Sequence, residues 1–223
     1  MDNNIIQKIG GTSSMLLKVL LICGIIASLL YGAIDILGGM VWHGYSFASQ
    51  AISELTAIGA PTRQLLAPLY PIYSLLMIAF GSGVLILAGQ RRTLRFIGVL
   101  QVIIGFVGLA WMPFPIHMRG VEPTFTDAMH NAFAGVQTLF ILSSIGLGTI
   151  AYGKRFGYYS IGTLVTLIAC GTLTFAIAGQ LVPQQLDNWF GLLERITVYG
   201  YMVWVIVLAI VLMREERSQA PLG

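Results

Sequence analysis

The sequence predicts an all-α, polytopic membrane protein, a bundle of six transmembrane helices, and three observations carry that reading. Of 223 residues 57% are apolar and only 9% charged, and the mean hydropathy is +0.83. The hydrocarbon core of a bilayer is roughly 30 Å thick, so a spanning helix needs about 20 mainly apolar residues, and the chain offers six such runs. Lys and Arg punctuate alternate connections between the runs, as they do in chains threaded through a membrane. The expected organisation is a single membrane domain over 1–223, with spans at 15–38, 68–89, 94–111, 127–151, 158–181 and 191–213 and an outer loop at 39–67.

The first run follows Lys8 and Lys18 and is too long for the apolar core of a signal peptide, so it is read as a retained first span. The second and third runs are separated by Arg91, Arg92 and Arg95, the fourth and fifth by Lys154 and Arg155, and Arg214 and Arg217 follow the sixth. Because such cations accumulate on the cytoplasmic side, both termini are expected in the cytoplasm, and the formal charge of +3 is a topology signal rather than an anion-binding patch. Trp42, Tyr45, Tyr70, Trp111 and Trp189 then form an outer aromatic belt and Phe96, Tyr152, Tyr158 and Tyr159 an inner one. Gly98, Gly105 and Gly108 in the third span, and Gly162, Gly171 and Gly179 in the fifth, are expected where helices approach closely. Cys23 and Cys170 lie inside apolar runs and read as small packing residues. No internal repeat is evident.

Chemistry-bearing residues gather at the outer end. The stretch from His43 to Arg63 brings His43, Ser53, Glu54 and Arg63 into a chain poor in ionisable groups. Ser46 or Ser49 can cap a short amphipathic helix ending at Gly59, with Phe47, Ala51, Leu55 and Ile58 on one face, so a helix lying flat on the membrane surface is expected. Glu54 on its flank needs a partner, and Arg195 or Arg63 is the candidate. Asp127, His130, Ala134 and Gln137 repeat at helical spacing with Asn131 beside them, a polar stripe that would not face lipid. Thr124 and Asp127 also have the spacing of a capping box, which would leave Asp127 a purely structural task. Glu194 and Arg195 are neighbours pointing about 100° apart, so they do not simply pair with each other and at least one looks inward. Asp35 sits where it could anchor the end of the first span.

Three short segments carry a family resemblance: Ile52-Ser53-Glu54-Leu55 in the first outer loop, His130 early in span four, and Gly191 to Ile196, reading GLLERI, at the start of span six. With six spans around them, the chain resembles the prokaryotic membrane family catalogued as domain of unknown function nine-nine-eight. The resemblance covers nearly the whole chain and implies a six-helix fold and a prokaryotic inner membrane, but no activity. It selects Ser53, Glu54, His130 and Arg195.

Several functions fit these residues. The first is binding or processing of a lipid-like amphiphile from the outer leaflet, with Arg195, Arg63, His43, Asn131, Gln137 and Glu194 as binding groups. An enzymatic version would use His130 as general base oriented by Glu54 or Asp127, with Ser53 as nucleophile, or a metal held by His117, Asp127 and His130, whose spacing is no recognised zinc signature. The second is a small proton-coupled transporter in which Glu54, Asp127 and His130 change protonation, although the span centres hold few ionisable groups. The third is a structural or accessory role, docking a membrane-protein partner or a second copy. Haem ligation by His117 and His130 needs both imidazoles in one cavity. Nucleic-acid binding is disfavoured because no basic face is interleaved with aromatics, and Gly81 to Gly83 lies inside a span with no strand before it, so it is no phosphate loop.

Overall fold

The computed structural model describes residues 3–219, and the side chains of Lys8 and Arg217 lie outside what it describes. Among these residues seven α-helices follow in order: α1 (Asn3–Val41), a single turn α2 (Arg63–Leu66), α3 (Leu69–Ala88), α4 (Arg92–Trp111), α5 (Phe125–Ala151), α6 (Lys154–Ala178) and α7 (Phe190–Gln219). Six helical stretches are long and apolar enough to cross a membrane, matching the six expected runs to within a few residues at most ends. Helices α1 and α7 run well past the expected spans, because hydropathy marks the part that lies in hydrocarbon and not where the helical ladder stops.

Each spanning helix packs on its sequence neighbours, and α1 packs on α7, so the six form a closed ring in chain order. The α3–α4 hairpin turns at Gly89, whose φ of +52° is open to glycine at no steric cost. Its two helices approach until a Cβ added at Gly81 would lie 2.7 Å from the Val102 backbone nitrogen, and one at Gly105 2.7 Å from the Ser74 carbonyl oxygen. Glycine on α4 therefore packs as expected. At two of the expected α6 positions it does not: an added Cβ at Gly162 meets nothing within 4 Å and one at Gly171 only an ordinary contact at 3.9 Å.

Large apolar side chains fill the ring, with Phe80, Met77, Tyr201, Trp204 and Leu208 fully or almost fully buried. Three polar bonds cross this interior. The Tyr201 hydroxyl donates to Gln101 Oε1 (2.5 Å), Gln101 Nε2 donates to Ser144 Oγ (2.6 Å), and Trp204 Nε1 donates to Ser160 Oγ (3.0 Å), which ties α7 to α4, α5 and α6. In an apolar interior, each of these groups would be costly to leave unpaired.

The connections 42–62, 112–124 and 179–189 all fall at one end of the bundle, called here the loop end. Expected as an amphipathic surface helix, the first of them instead folds as turns around one 3₁₀ segment, Ile52–Thr56. The reason is competition for the backbone. The carbonyls of Phe47, Ala48, Gln50 and Ala51 accept from Arg195, the Leu192 N–H or Tyr45, while the N–H groups of Ala51 and Ile52 donate to Glu54 and Glu194. Side chains and α7 have taken the groups an α-helical ladder would use. The segment is consequently sunk into the bundle, with Ile52, Leu55 and Leu66 buried against Ile34.

Candidate functional site

At the first turns of α7 the two neighbouring charges diverge as expected. Arg195 faces α1, where Nε and Nη2 donate to the two carboxylate oxygens of Asp35 at 3.0 and 2.7 Å. Nη2 also donates to the Tyr45 hydroxyl (2.6 Å), and Nη1 donates to the carbonyls of Phe47 (2.7 Å), Gln50 (2.8 Å) and Gly191 (3.1 Å). All five guanidinium N–H groups are thereby used, and the rings of Tyr45 and Phe47 cover the guanidinium at 5.5 and 5.0 Å from their centroids. Asp35 is fully buried and Arg195 only 5% exposed, and Asp35 accepts a further bond from the Tyr199 hydroxyl at 2.5 Å. Burial pushes the Tyr45 phenol above its ordinary range, so it keeps the proton it donates to the Ala51 carbonyl.

Glu194 faces the first loop and accepts from the Ile52 N–H at 2.7 Å. Glu54, buried in that loop, pairs with neither Arg195 nor Arg63. Its partner is Arg119 from the 112–124 connection, whose Nε and Nη2 reach Glu54 Oε1 at 2.9 and 2.6 Å. Arg63 instead donates to the Thr56 carbonyl (2.6 Å), inside its own loop. The two connections are also joined by the Ile58 N–H, which donates to the Ile116 carbonyl at 2.7 Å.

Helix α5 presents its stripe differently from the expectation. Asp127 closes the capping box: it accepts from Thr124 N (2.8 Å) and Thr124 Oγ1 (2.7 Å), and also from His117 N (2.7 Å), with His117 Nδ1 at 2.9 Å. His130 is turned to the end of α4, where its Nδ1 lies 2.9 Å from both Trp111 Nε1 and the Phe114 carbonyl. An indole N–H can only donate, so satisfying it puts the proton of a neutral imidazole on Nε2. Gln137 is half-buried, and His43 and Asn131 are exposed.

The expected catalytic set is thus not assembled. No hydrogen bond joins His130 to Glu54, Ser53 or Arg195 among the described residues, and Asp127 is saturated by cap donors. Among these residues no three His, Cys, Asp or Glu side chains come together to hold a metal ion, so the set His117, Asp127 and His130 is corrected: His130 Nδ1 is committed elsewhere. Of the two imidazoles that haem ligation would need, His117 lies against Asp127 and His130 against Trp111 and the Phe114 carbonyl. Sequence reading passed over Asp35, Tyr45, Tyr199 and Arg119 as site members. Asp35 carried a usable signal, an acid inside an apolar run; the pairing across 160 residues did not.

A groove of about 500 Å³ opens on the outer face between α6 and α7, lined by Tyr158, Tyr159, Gly162, Thr163, Thr166 and Leu167 from one and Tyr199, Gly200 and Val203 from the other. Thr163 and Thr166 return their hydroxyls to the carbonyls of Tyr159 and Gly162, both at 3.0 Å, leaving methyls to the groove. Tyr199 links the two places, since it forms part of the groove wall and donates to Asp35.

No curated protein and no solved structure matches the chain. A family model does, described as protein of unknown function (DUF998), over residues 25–211. That interval runs from within α1 to within α7 and includes Asp35, the first loop, His130 and Arg195, so the chain belongs to the DUF998 family of membrane proteins.

Proposed function

We propose that the protein binds a lipid-like amphiphile from the surrounding bilayer, in a cell membrane whose outer side receives the loop end. The observation that carries this reading is the α6–α7 groove: apolar, laterally open, and within the roughly 300–1,000 Å³ usual for ligand sites. An opening on the face a bilayer would cover admits an acyl chain without passage through water. The loop end supplies rigidity. With Asp35, Arg195 and Tyr45 satisfied among themselves, α1, α7 and the first loop are fixed to one another, and Tyr199 extends that bracing to the groove wall.

The test uses a phospholipid carrying a photoactivatable group in its acyl chain, with the full-length protein in lipid nanodiscs. Crosslinks are expected to concentrate on Thr163, Thr166 and Val203. Gly162→Phe fills the groove from a position where an added Cβ meets nothing within 4 Å, so it should remove those crosslinks while labels elsewhere on the bundle persist. Labels spread evenly over all lipid-facing helices, unchanged in G162F, would overturn the reading.

A structural role for the loop-end charges is favoured alongside it by a specific observation: Glu54, Glu194, Arg195 and Asp127 all hold down backbone of their own or a neighbouring connection.

A further inference from the structure

We infer that the groove selects an anionic glycerophospholipid of the leaflet opposite the loop end, with its phosphate held by Lys154, Arg155 and Arg214. The inference rests on the groove being an acyl-chain site and adds the headgroup and the leaflet.

Two rows of positions on α6 line the groove, one through Tyr158, Gly162 and Thr166 and one through Tyr159, Thr163 and Leu167. Side chains four apart on a helix stand one above the other. Lys154 and Arg155 are one turn beyond Tyr158 and Tyr159 on those rows, so they stand at the groove's end. From Val203 on α7 the positions three and four apart lead through Val207 and Ile210 to Arg214, exposed at the same end. From Leu167 to Tyr158 the lined part of α6 extends roughly 14 Å at 1.5 Å per residue. That is about half of a hydrocarbon core. A chain lying in it therefore comes from one leaflet, and its headgroup level coincides with the three cations.

These cations are available. Among the described residues neither Lys154, Arg155 nor Arg214 makes an ion pair. The acids at that end are engaged elsewhere: Glu215 with Arg91 and the Tyr152 hydroxyl, Glu216 with Lys18. Charge complementarity thus favours a phosphate without a compensating quaternary ammonium. Zwitterionic lipid would gain only the groove.

The experiment measures lipid binding to delipidated full-length protein in neutral detergent by native mass spectrometry. Phosphatidylglycerol and phosphatidylcholine of identical chains are the probes, with crosslinking from the acyl chain read in parallel. A cation near an anionic surface contributes about fivefold in affinity, so a preference for phosphatidylglycerol of tenfold or more is expected, with contacts on Thr163 and Val203. It should fall to within about twofold in the triple variant K154Q/R155Q/R214Q and shrink in raised salt, with groove crosslinks retained. Equal affinity for the two lipids, or a preference untouched by the triple variant, overturns the headgroup assignment and leaves the groove reading standing. Binding of neither lipid in the groove, or insensitivity to G162F, removes both. A dimer of the wild type that G162F dissociates would assign the groove to a second copy and also overturn it.

Discussion

At the scale of single residues, the decisive feature is that Arg195 spends every donor it has inside the molecule. Two of its partners are oxygens of a buried acid and three are carbonyls of the first loop and its own helix. Removing one member of a buried ion pair strands the other, which typically destabilises by about 3–5 kcal/mol. Arg195→Met should therefore lower thermal stability in detergent severely. Asp35→Leu combined with it should recover part of the loss, because no charge is then stranded. The double variant should still fall short of wild type, since the carbonyls of Phe47 and Gln50 lose their donor. Equal stability of single and double variants would show that the charges were not coupled. The sequence disclosed half of this site. Adjacent charges on a helix must diverge, which is why at least one of Glu194 and Arg195 reads as inward-looking; the identity of the acid depends on how α1 and α7 meet, which local patterning does not encode. Tyr45 was likewise legible as an interfacial aromatic, while its hydroxyl's role between Arg195 and Ala51 depends on a loop path no periodicity describes.

At the scale of elements, spans were readable because hydrocarbon imposes the same length and polarity on each of them. The first loop misled because its apolar spacing suits a helix and its backbone is claimed by distant groups. Two variants separate those influences. A Cβ at Gly191 would collide with the Gln50 carbonyl oxygen and meet Arg195 Nη1 and the Phe47 carbonyl oxygen, each at 2.8 Å, so Gly191→Ala should loosen the loop and open it to protease without unfolding the bundle. Glu54→Ala removes the acceptor for the Ala51 N–H and for Arg119. Arg119 is 53% exposed, so its pairing contributes at most about 1 kcal/mol, and most of the loss should come from the stranded N–H, about 1–3 kcal/mol. In the α3–α4 hairpin, Gly81→Ala should destabilise by roughly 1–3 kcal/mol through overpacking against Val102. Gly135→Ala, where an added Cβ meets nothing within 4 Å, should be neutral or slightly stabilising, and denaturation of both in detergent checks the contrast.

At the scale of the whole molecule, what counts is how the charges divide between the two ends. Counting cations in connections places the excess opposite the loop end, and the structure sharpens that asymmetry. Loop-end cations are tied up: Arg195 to Asp35, Arg119 to Glu54, and Arg63 to the Thr56 carbonyl. At the other end Arg91 and Lys18 are paired, but among the described residues Arg92, Arg95, Lys154, Arg155 and Arg214 make no ion pair. Cations retained on the cytoplasmic side orient a polytopic chain, and the expected orientation rests on this division. Single cysteines in a Cys23→Ala, Cys170→Ala background test it with a membrane-impermeant maleimide on intact cells. His43→Cys and Glu122→Cys, both at exposed loop-end positions, should label from outside. Gln90→Cys and Gly153→Cys, exposed at the other end, should label only after the membrane is opened. The reverse pattern would place the loop end in the cytoplasm, and the three unpaired cations at the groove's end would then face the outer leaflet.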